Sequence, residues 1–392
     1  MANTLKFGKG TWATKTGSSM AYNDQNGNYK PLPFNVERDS IATRVNKEGL
    51  IEVVGKDKLR IDYKDSAKGV ALLENSSTNL FTYSEDFSQS SWNKASSTVT
   101  LTSELSPNGT TDSVYNLTGT SANLYVGGTT GVQHTISFYI KSNGQGKDKF
   151  KLRLGNNTSI EYTATNQWVR YEYTETPTTS VFGITTTSAP NNEFDLLIWG
   201  AQSEQNSFAT SYIPTSGSTV QRQADVVNGS GNSEVFNDSE GVLFADIAAL
   251  ADDLTNRAIT ISDKTSNNRI FITYYAESNG LFSQIISNGV IQATLTAKLP
   301  SIKNSTKVLV KYKQNDFQLW VNGFEVSSDE IGVTPIGLDD FSFDRGTGTL
   351  NFYGKTKELA YYDATLTDSE LEYLTSYRSL NELVTELNLN TL

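Results

Sequence analysis

VLVKYKQNDFQLWVNGFEV, from Val308 to Val326, decides the fold class of this chain. In its first arm Val308, Val310 and Tyr312 alternate with Leu309, Lys311 and Lys313; in its second, Phe317, Leu319 and Val321 alternate with Gln318, Trp320 and Asn322. A period of two is that of a strand with one buried face. Asn322-Gly323 then reverses the chain, because both residue types tolerate the positive φ of a tight hairpin turn. The alternation recurs in HTISFYIKS (His134 to Ser142), where Ile136, Phe138 and Ile140 oppose Thr135, Ser137, Tyr139 and Lys141, and in WVRYEYTE (Trp168 to Glu175). FDLLIWGAQ (Phe194 to Gln202) is apolar on both sides, which predicts a strand covered on both faces. With 19 Tyr, 18 Phe and 5 Trp set among Thr, Ser, Asn and Gly, the composition is that of sheets and turns.

A chain of 392 residues holds two or three domains at roughly 150 residues each. Residues 1–80 alternate turn clusters with short apolar runs, as in NDQNGNYKPLPF and NKEGLIEVV, too punctuated to enclose a core, and read as a wrapping or anchoring module. Residues 81–223 read as a jelly roll. Periodicity is lost across QRQADVVNGSGNSEVFND, which places a boundary there, and residues 224–380 read as a second sandwich, followed by a tail, 381–392. The expected class is all-β: two tandem β-sandwiches after an extended N-terminal module, with a short C-terminal helix. Thr367 and Glu370 form a capping box, Leu366 can staple onto Leu371, and Leu371, Leu374, Tyr377 and Leu380 mark an apolar side. Leu383, Val384 and Leu387 continue the helical spacing into the tail, which reads either as a docking segment or as a frayed end.

Net charge of −11 disfavours nucleic acid and anionic membranes. Cysteine is absent, so disulfides, thiolate metal sites and cysteine nucleophiles are absent with it. The opening MANTLKFGKGTW lacks an apolar signal region and no stretch approaches the ~18 apolar residues of a membrane span. The expectation is a product made in a cytoplasm, without membrane insertion. The single histidine, His134, starts a strand, carries no triad motif and reads as a surface residue. No glutamate spacing of a sandwich glycosidase occurs, so the chain is expected not to be an enzyme and no catalytic residue is assigned. Calcium is the one cofactor left open, with Asp339, Asp340 and Asp344 of LDDFSFDRG as its candidate ligands. For a glycan, Trp168 and Trp320 are the candidate aromatic platforms, whereas Trp199 reads as core.

Three stretches together carry a resemblance: FNVERDSIATRVNKEGLIEVVGKDKLRIDY (Phe34 to Tyr63), WGAQSEQNSFATSYIPTSGSTVQRQADV (Trp199 to Val226), and the opening hairpin with its ELAYYDATLTDSELEYL ending. They resemble modular structural proteins of tailed bacteriophages, built from an arginine-bearing opening module, a carbohydrate-binding-module-like jelly roll and a concanavalin A-like, laminin-G-like sandwich. The resemblance implies a non-catalytic virion component released on lysis. It implies a homo-oligomeric head or tail fibre or appendage, a dimer or trimer in contact with other virion proteins and with host surface glycans. The competing expectations are a glycan-binding adhesin module of a bacterial surface protein and a polysaccharide depolymerase.

Overall fold

The computed structural model describes residues 4–23, 29–190 and 192–386, whose regular structure is antiparallel strand apart from two short helices, α1 (Asp368–Thr375) and α2 (Leu380–Glu386). They form two compact units. The first combines residues 1–39, 55–75 and 224–392; the second combines 40–54 and 76–223. The expected boundary near residue 223 is where the chain passes from one unit to the other.

In the first unit, two sheets enclose one apolar core. The larger runs, strand by strand, through Val226–Asn228, Lys30–Glu37, Ser18–Asn23, Thr4–Gly8, Gly354–Tyr362, Glu240–Ala249, Thr306–Lys313, Asp316–Val321 and Phe324–Asp329. The smaller runs through Val290–Lys298, Gly280–Ser287, Arg269–Tyr274, Arg257–Ser262 and Asp340–Ser342. Val308, Val310, Tyr312, Phe317, Leu319 and Val321 all point into this core, as their alternation predicts. Asn322 and Gly323 take φ of 49° and 93°, the paired positive values the hairpin needs. Trp320 lies on the opposite face, only 7% exposed, under α1, where it packs with Phe244, Leu309 and Leu371. The helix starts where expected: the Thr367 N–H donates to Glu370 Oε2 at 2.8 Å, and Leu366 packs against the same cluster as Leu371.

The N-terminal segment differs from the expected separate module. Thr4–Gly8 pairs antiparallel with Gly354–Tyr362, from Thr4 opposite Tyr362 to Gly8 opposite Glu358, and Ser18–Asn23, Lys30–Glu37, Arg60–Asp62 and Val70–Leu73 join the same sheet, so these strands complete the second sandwich. The physical reason is edge pairing: short apolar strands that cannot enclose a core bury their faces by extending one that exists. Leu5, Phe7, Phe34 and Val36 enter that core beside Phe341 and Phe343.

A buried ionic cluster stitches this unit. Arg38 Nη1 donates to Asp225 Oδ1 at 2.8 Å, Arg60 Nη1 to Glu74 Oε2 at 2.6 Å, and Arg60 Nη2 to Asp225 Oδ2. All four side chains are shut off from water. Arg38 also donates to the carbonyls of Lys58 (3.0 Å) and Gly55 (2.7 Å), and the Glu74 N–H donates to Asp225 Oδ2 at 2.8 Å. Burial alone would lower the Arg60 pKa; Asp225 and Glu74 outweigh it and hold the guanidinium charged.

The second unit is a jelly roll built on a nine-stranded antiparallel sheet. Its central strands are Tyr115–Val126, Glu193–Glu204 and His134–Ser142, flanked by Phe182–Thr185 and Lys149–Leu154 on one side and Val169–Glu175 on the other. The sheet curls so that Phe150 and Tyr162 meet Tyr171, each with ring centroids 5.0 Å from it. Glu193–Glu204 is covered on both faces, as its sequence predicts. Phe194, Leu196 and Ile198 enter the main core, while Leu197 and Trp199 pack with Ile51, Val114 and Tyr212. Ile51 belongs to the hairpin Ala42–Val45 and Ile51–Val54, the part of the expected N-terminal module that joins this unit.

Replacing Asp225 by Asn leaves two buried arginines short of a counter-charge, a change that costs ~3–5 kcal/mol at such sites. Urea unfolding followed by amide exchange in the strands of the first unit should show that loss, and a cost below ~1 kcal/mol would refute the role given to the cluster.

Candidate glycan-binding cleft

Residues 81–86 of the second unit run between the strand Glu193–Glu204 and the segment 212–217. Ala201 N–H donates to the Ser84 carbonyl at 2.8 Å, Thr215 N–H to Ser84 Oγ at 2.8 Å, and Gly217 N–H to the Thr82 carbonyl at 2.8 Å. The FATSYIPT stretch is therefore a clasp. Thr210 donates to Glu204 through its N–H (3.0 Å) and its hydroxyl (2.5 Å), Ile213 N–H donates to Gln202 Oε1 at 2.6 Å, and Asn79 Nδ2 bridges the carbonyls of Ala201 and Ile213. Tyr212 stacks on Trp199 with centroids 4.6 Å apart, and its hydroxyl lies 2.7 Å from Ser84 Oγ.

This clasp forms one wall of an open cleft of about 390 Å³ lined by Tyr83, Glu85, Asp86, Asp112, Ser113, Tyr115, Pro214, Thr215 and Ser216. Asp86 is its most firmly held group. Oδ1 accepts from Ser88 N–H (3.0 Å), Ser88 Oγ (2.5 Å) and Tyr115 Oη (2.7 Å), and Oδ2 accepts from Gln89 Nε2 (2.7 Å). Burial pushes its pKa up, but these donors prevail and bring it down to about 2. Glu85 is shifted the other way: burial raises it, opposed by the Tyr212 hydroxyl, which donates to Oε1 at 2.7 Å, and by the Trp199 indole. The cleft thus presents the Tyr83 ring and the carboxylates of Glu85 and Asp112, while Tyr115 is buried and Asp86 is taken up by its own loop.

The aromatic and acidic candidates from the sequence lie elsewhere. Trp320 is sealed beneath α1 and presents no platform. Trp168 is half-buried against the cluster of Ile51, Val114, Leu197, Trp199 and Tyr212, and its indole N–H donates to the Leu105 carbonyl at 2.8 Å. His134 is buried, not on the surface. Its ring sits edge-on to Phe182 at 4.9 Å, and burial lowers its pKa, because the strand start that reads as exposed is roofed by that phenylalanine.

Asp339, Asp340 and Asp344 are divided among three tasks. Asp339 pairs with Lys264 at 3.0 Å. Asp344 Oδ1 accepts from Gly346 N–H (2.5 Å), Ser342 Oγ (3.2 Å) and Gly348 N–H (3.3 Å), which shapes its own turn. Asp340 is buried on a short strand and raised to about 6, chiefly by burial, with Lys264 opposing and Asp344 and Asp339 adding to it. Among the described residues, no three His, Cys, Asp or Glu side chains gather as a metal-holding set, while Asp340 and Asp344 line one shallow pocket with Asn35, Asn228 and Lys264. Of the residues that the sequence reading missed, Tyr83, Glu85 and Asp86 had one visible signal, the run TYSED, in which a ring and two acids fall within five positions, while Asp112 had none.

No family model and no curated protein matches this chain. Solved structures similar to it include the CBM40 module of a Ruminococcus gnavus IT-sialidase bound to α2,3-sialyllactose, at 15% identity and a TM-score of 0.32, covering 36% of this chain and 84% of that one. Domain 4 of the GH43 arabinanase AbnA from Geobacillus stearothermophilus, in complex with arabinotriose, is similar at 16% identity and a TM-score of 0.31, covering 44% and 84%. Domains LG4-5 of the mouse laminin α1 chain are similar at 8% identity and a TM-score of 0.27, covering 80% and 96%. Likeness at this level carries no argument about a ligand.

A group whose folded pKa is raised contributes stability that is fully present below its unfolded pKa, ~4.3 for Glu, and is lost as pH rises through the folded value. Glu85 is such a group. Glu85→Gln, which keeps an acceptor for the Tyr212 hydroxyl and cannot ionise, should therefore gain in Tm over the parent as pH rises from 4 to 7; a pH-independent difference would contradict the burial of Glu85.

Proposed function

We propose that this chain is a non-catalytic structural protein of a tailed-phage particle, an oligomeric fibre or appendage whose jelly-roll unit binds surface glycans through the cleft at Tyr83. The observation that carries glycan binding is the cleft: open, edged by the Tyr83 ring, and furnished with Glu85 and Asp112 as acceptors for sugar hydroxyls. Support for the non-catalytic reading comes from Asp86, whose four hydrogen bonds leave it little freedom to act as a nucleophile or to exchange a proton near neutrality. The virion assignment rests on the resemblance of residues 34–63 and 199–226 to phage modular proteins.

A glycan array with the full chain should give binding that Tyr83→Ala weakens by about tenfold, equivalent to ~1.4 kcal/mol. The same preparations should release no reducing ends from host polysaccharide; release that Glu85→Gln abolishes would make the protein a depolymerase instead. Mass spectrometry of purified particles should find the chain, and its absence from them would defeat the virion assignment.

A further inference from the structure

A second groove, of about 590 Å³, lies in the first unit, where α2 crosses the outer face of the larger sheet. Its floor carries two lysines, and both are taken by glutamates of that helix. Lys307 Nζ donates to Glu382 Oε1 at 2.8 Å, and Lys357 Nζ pairs with Glu386. Lys307 also donates to the Ser376 carbonyl at 3.0 Å and sits 4.9 Å over the Tyr377 ring. Two further carboxylates face the groove, each with its own partner: Glu358 lies 3.4 Å from Lys9, and Asp246 accepts from Ser305 Oγ at 2.5 Å. On the rim, Tyr373 is 65% exposed and carries the Arg378 guanidinium 3.5 Å above its ring, and Lys68 adds another cation.

What holds α2 there is polar. The helix has seven residues, none of them buried, and Leu380 is 73% exposed. A helix that short has little stability of its own, and partly exposed ion pairs bind weakly and are screened by salt. Leu387, which would continue its apolar spacing, lies outside the described residues. The carboxylates of Glu382 and Glu386 therefore occupy lysines that a mobile ligand's carboxylates would otherwise reach.

We propose that this groove is a binding site for carboxylated saccharides, such as uronic acid oligomers, and that α2 is its tethered competitor. The inference rests on the glycan-binding reading for its ligand class but uses a different unit and different residues. The lysines supply point charges for sugar carboxylates, Tyr373 an exposed ring, and the groove has room for a short oligosaccharide. Ligand binding must displace Glu382 and Glu386, so the free protein binds less tightly than its lysines alone would.

The test is calorimetric titration of the full chain with trigalacturonate, with maltotriose as the neutral control. Glu382→Gln/Glu386→Gln should bind trigalacturonate at least tenfold more tightly than the parent, with affinity falling at high salt; Lys307→Gln/Lys357→Gln should not bind it. Tyr83→Ala should leave this binding unchanged, which separates failure here from failure of the jelly-roll cleft. Because the lysine variant can lose its fold, amide exchange in the parent chain is the second readout: trigalacturonate should speed exchange across Leu380–Glu386. Equal affinity in the glutamate variant, or unchanged exchange in α2, would overturn the proposal.

Discussion

Two arginines and two carboxylates, closed off from water, set the condition under which the first unit can exist at all. The chain leaves this unit after Asp39, returns at Gly55, leaves again after Asn75 and returns at Ala224. Arg38 stands one residue before the first exit, its bonds to the Gly55 and Lys58 carbonyls fix the first return, Glu74 stands one residue before the second exit, and Asp225 one residue after the final return. One ionic cluster thus gathers all four crossings. Burying four charges is costly, and the cost is offset only when each has a close partner and its remaining N–H groups find acceptors. The benefit is specificity: an apolar patch would tolerate sliding of these segments, whereas a forked guanidinium accepts one geometry.

That cluster explains why the sequence reads correctly in its strands and differently in its organisation. Alternation is local, and it identifies Val308–Val321, His134–Ser142 and the doubly covered strand at Phe194 because each residue's face follows from its neighbours one and two positions away. The capping box at Thr367 is equally local. Which sheet the short strands of residues 4–75 join is not local. Pairing of Thr4–Gly8 with Gly354–Tyr362 depends on an edge formed some 350 residues later, and nothing in TLKFG states it.

The same division governs the sites. Trp320 stands on the non-core face of its hairpin, as alternation says, but whether that face meets solvent depends on α1, whose docking follows from packing of Leu366, Leu371 and Leu374. His134 shares the parity of Ile136, Phe138 and Ile140, so alternation already places it on the covered face, and only its partner there, Phe182, three strands away in the sheet, is out of reach of a local reading. The arginines of Phe34–Tyr63 and Asp225 of Trp199–Val226, together with Tyr212 and Thr210 of FATSYIPT, prove to be fasteners. Such residues identify an architecture and are silent about its ligand.

Ligand chemistry falls instead to the residues the fasteners leave projecting. Ser84 and Thr215 are consumed in joining segment 81–86 to segment 212–217, and the cleft is what remains between them, with Tyr83, Glu85 and Asp86 alternating around the bound Ser84. Because Asp86 is held by Ser88, Gln89 and Tyr115 before any ligand arrives, little ordering remains to be done on binding. Its acceptor sites are already filled by its own loop, so a hydroxyl-rich ligand of the kind proposed above would be met at this cleft by Tyr83, Glu85 and Asp112, with Asp86 holding in shape the loop that carries Tyr83 and Glu85.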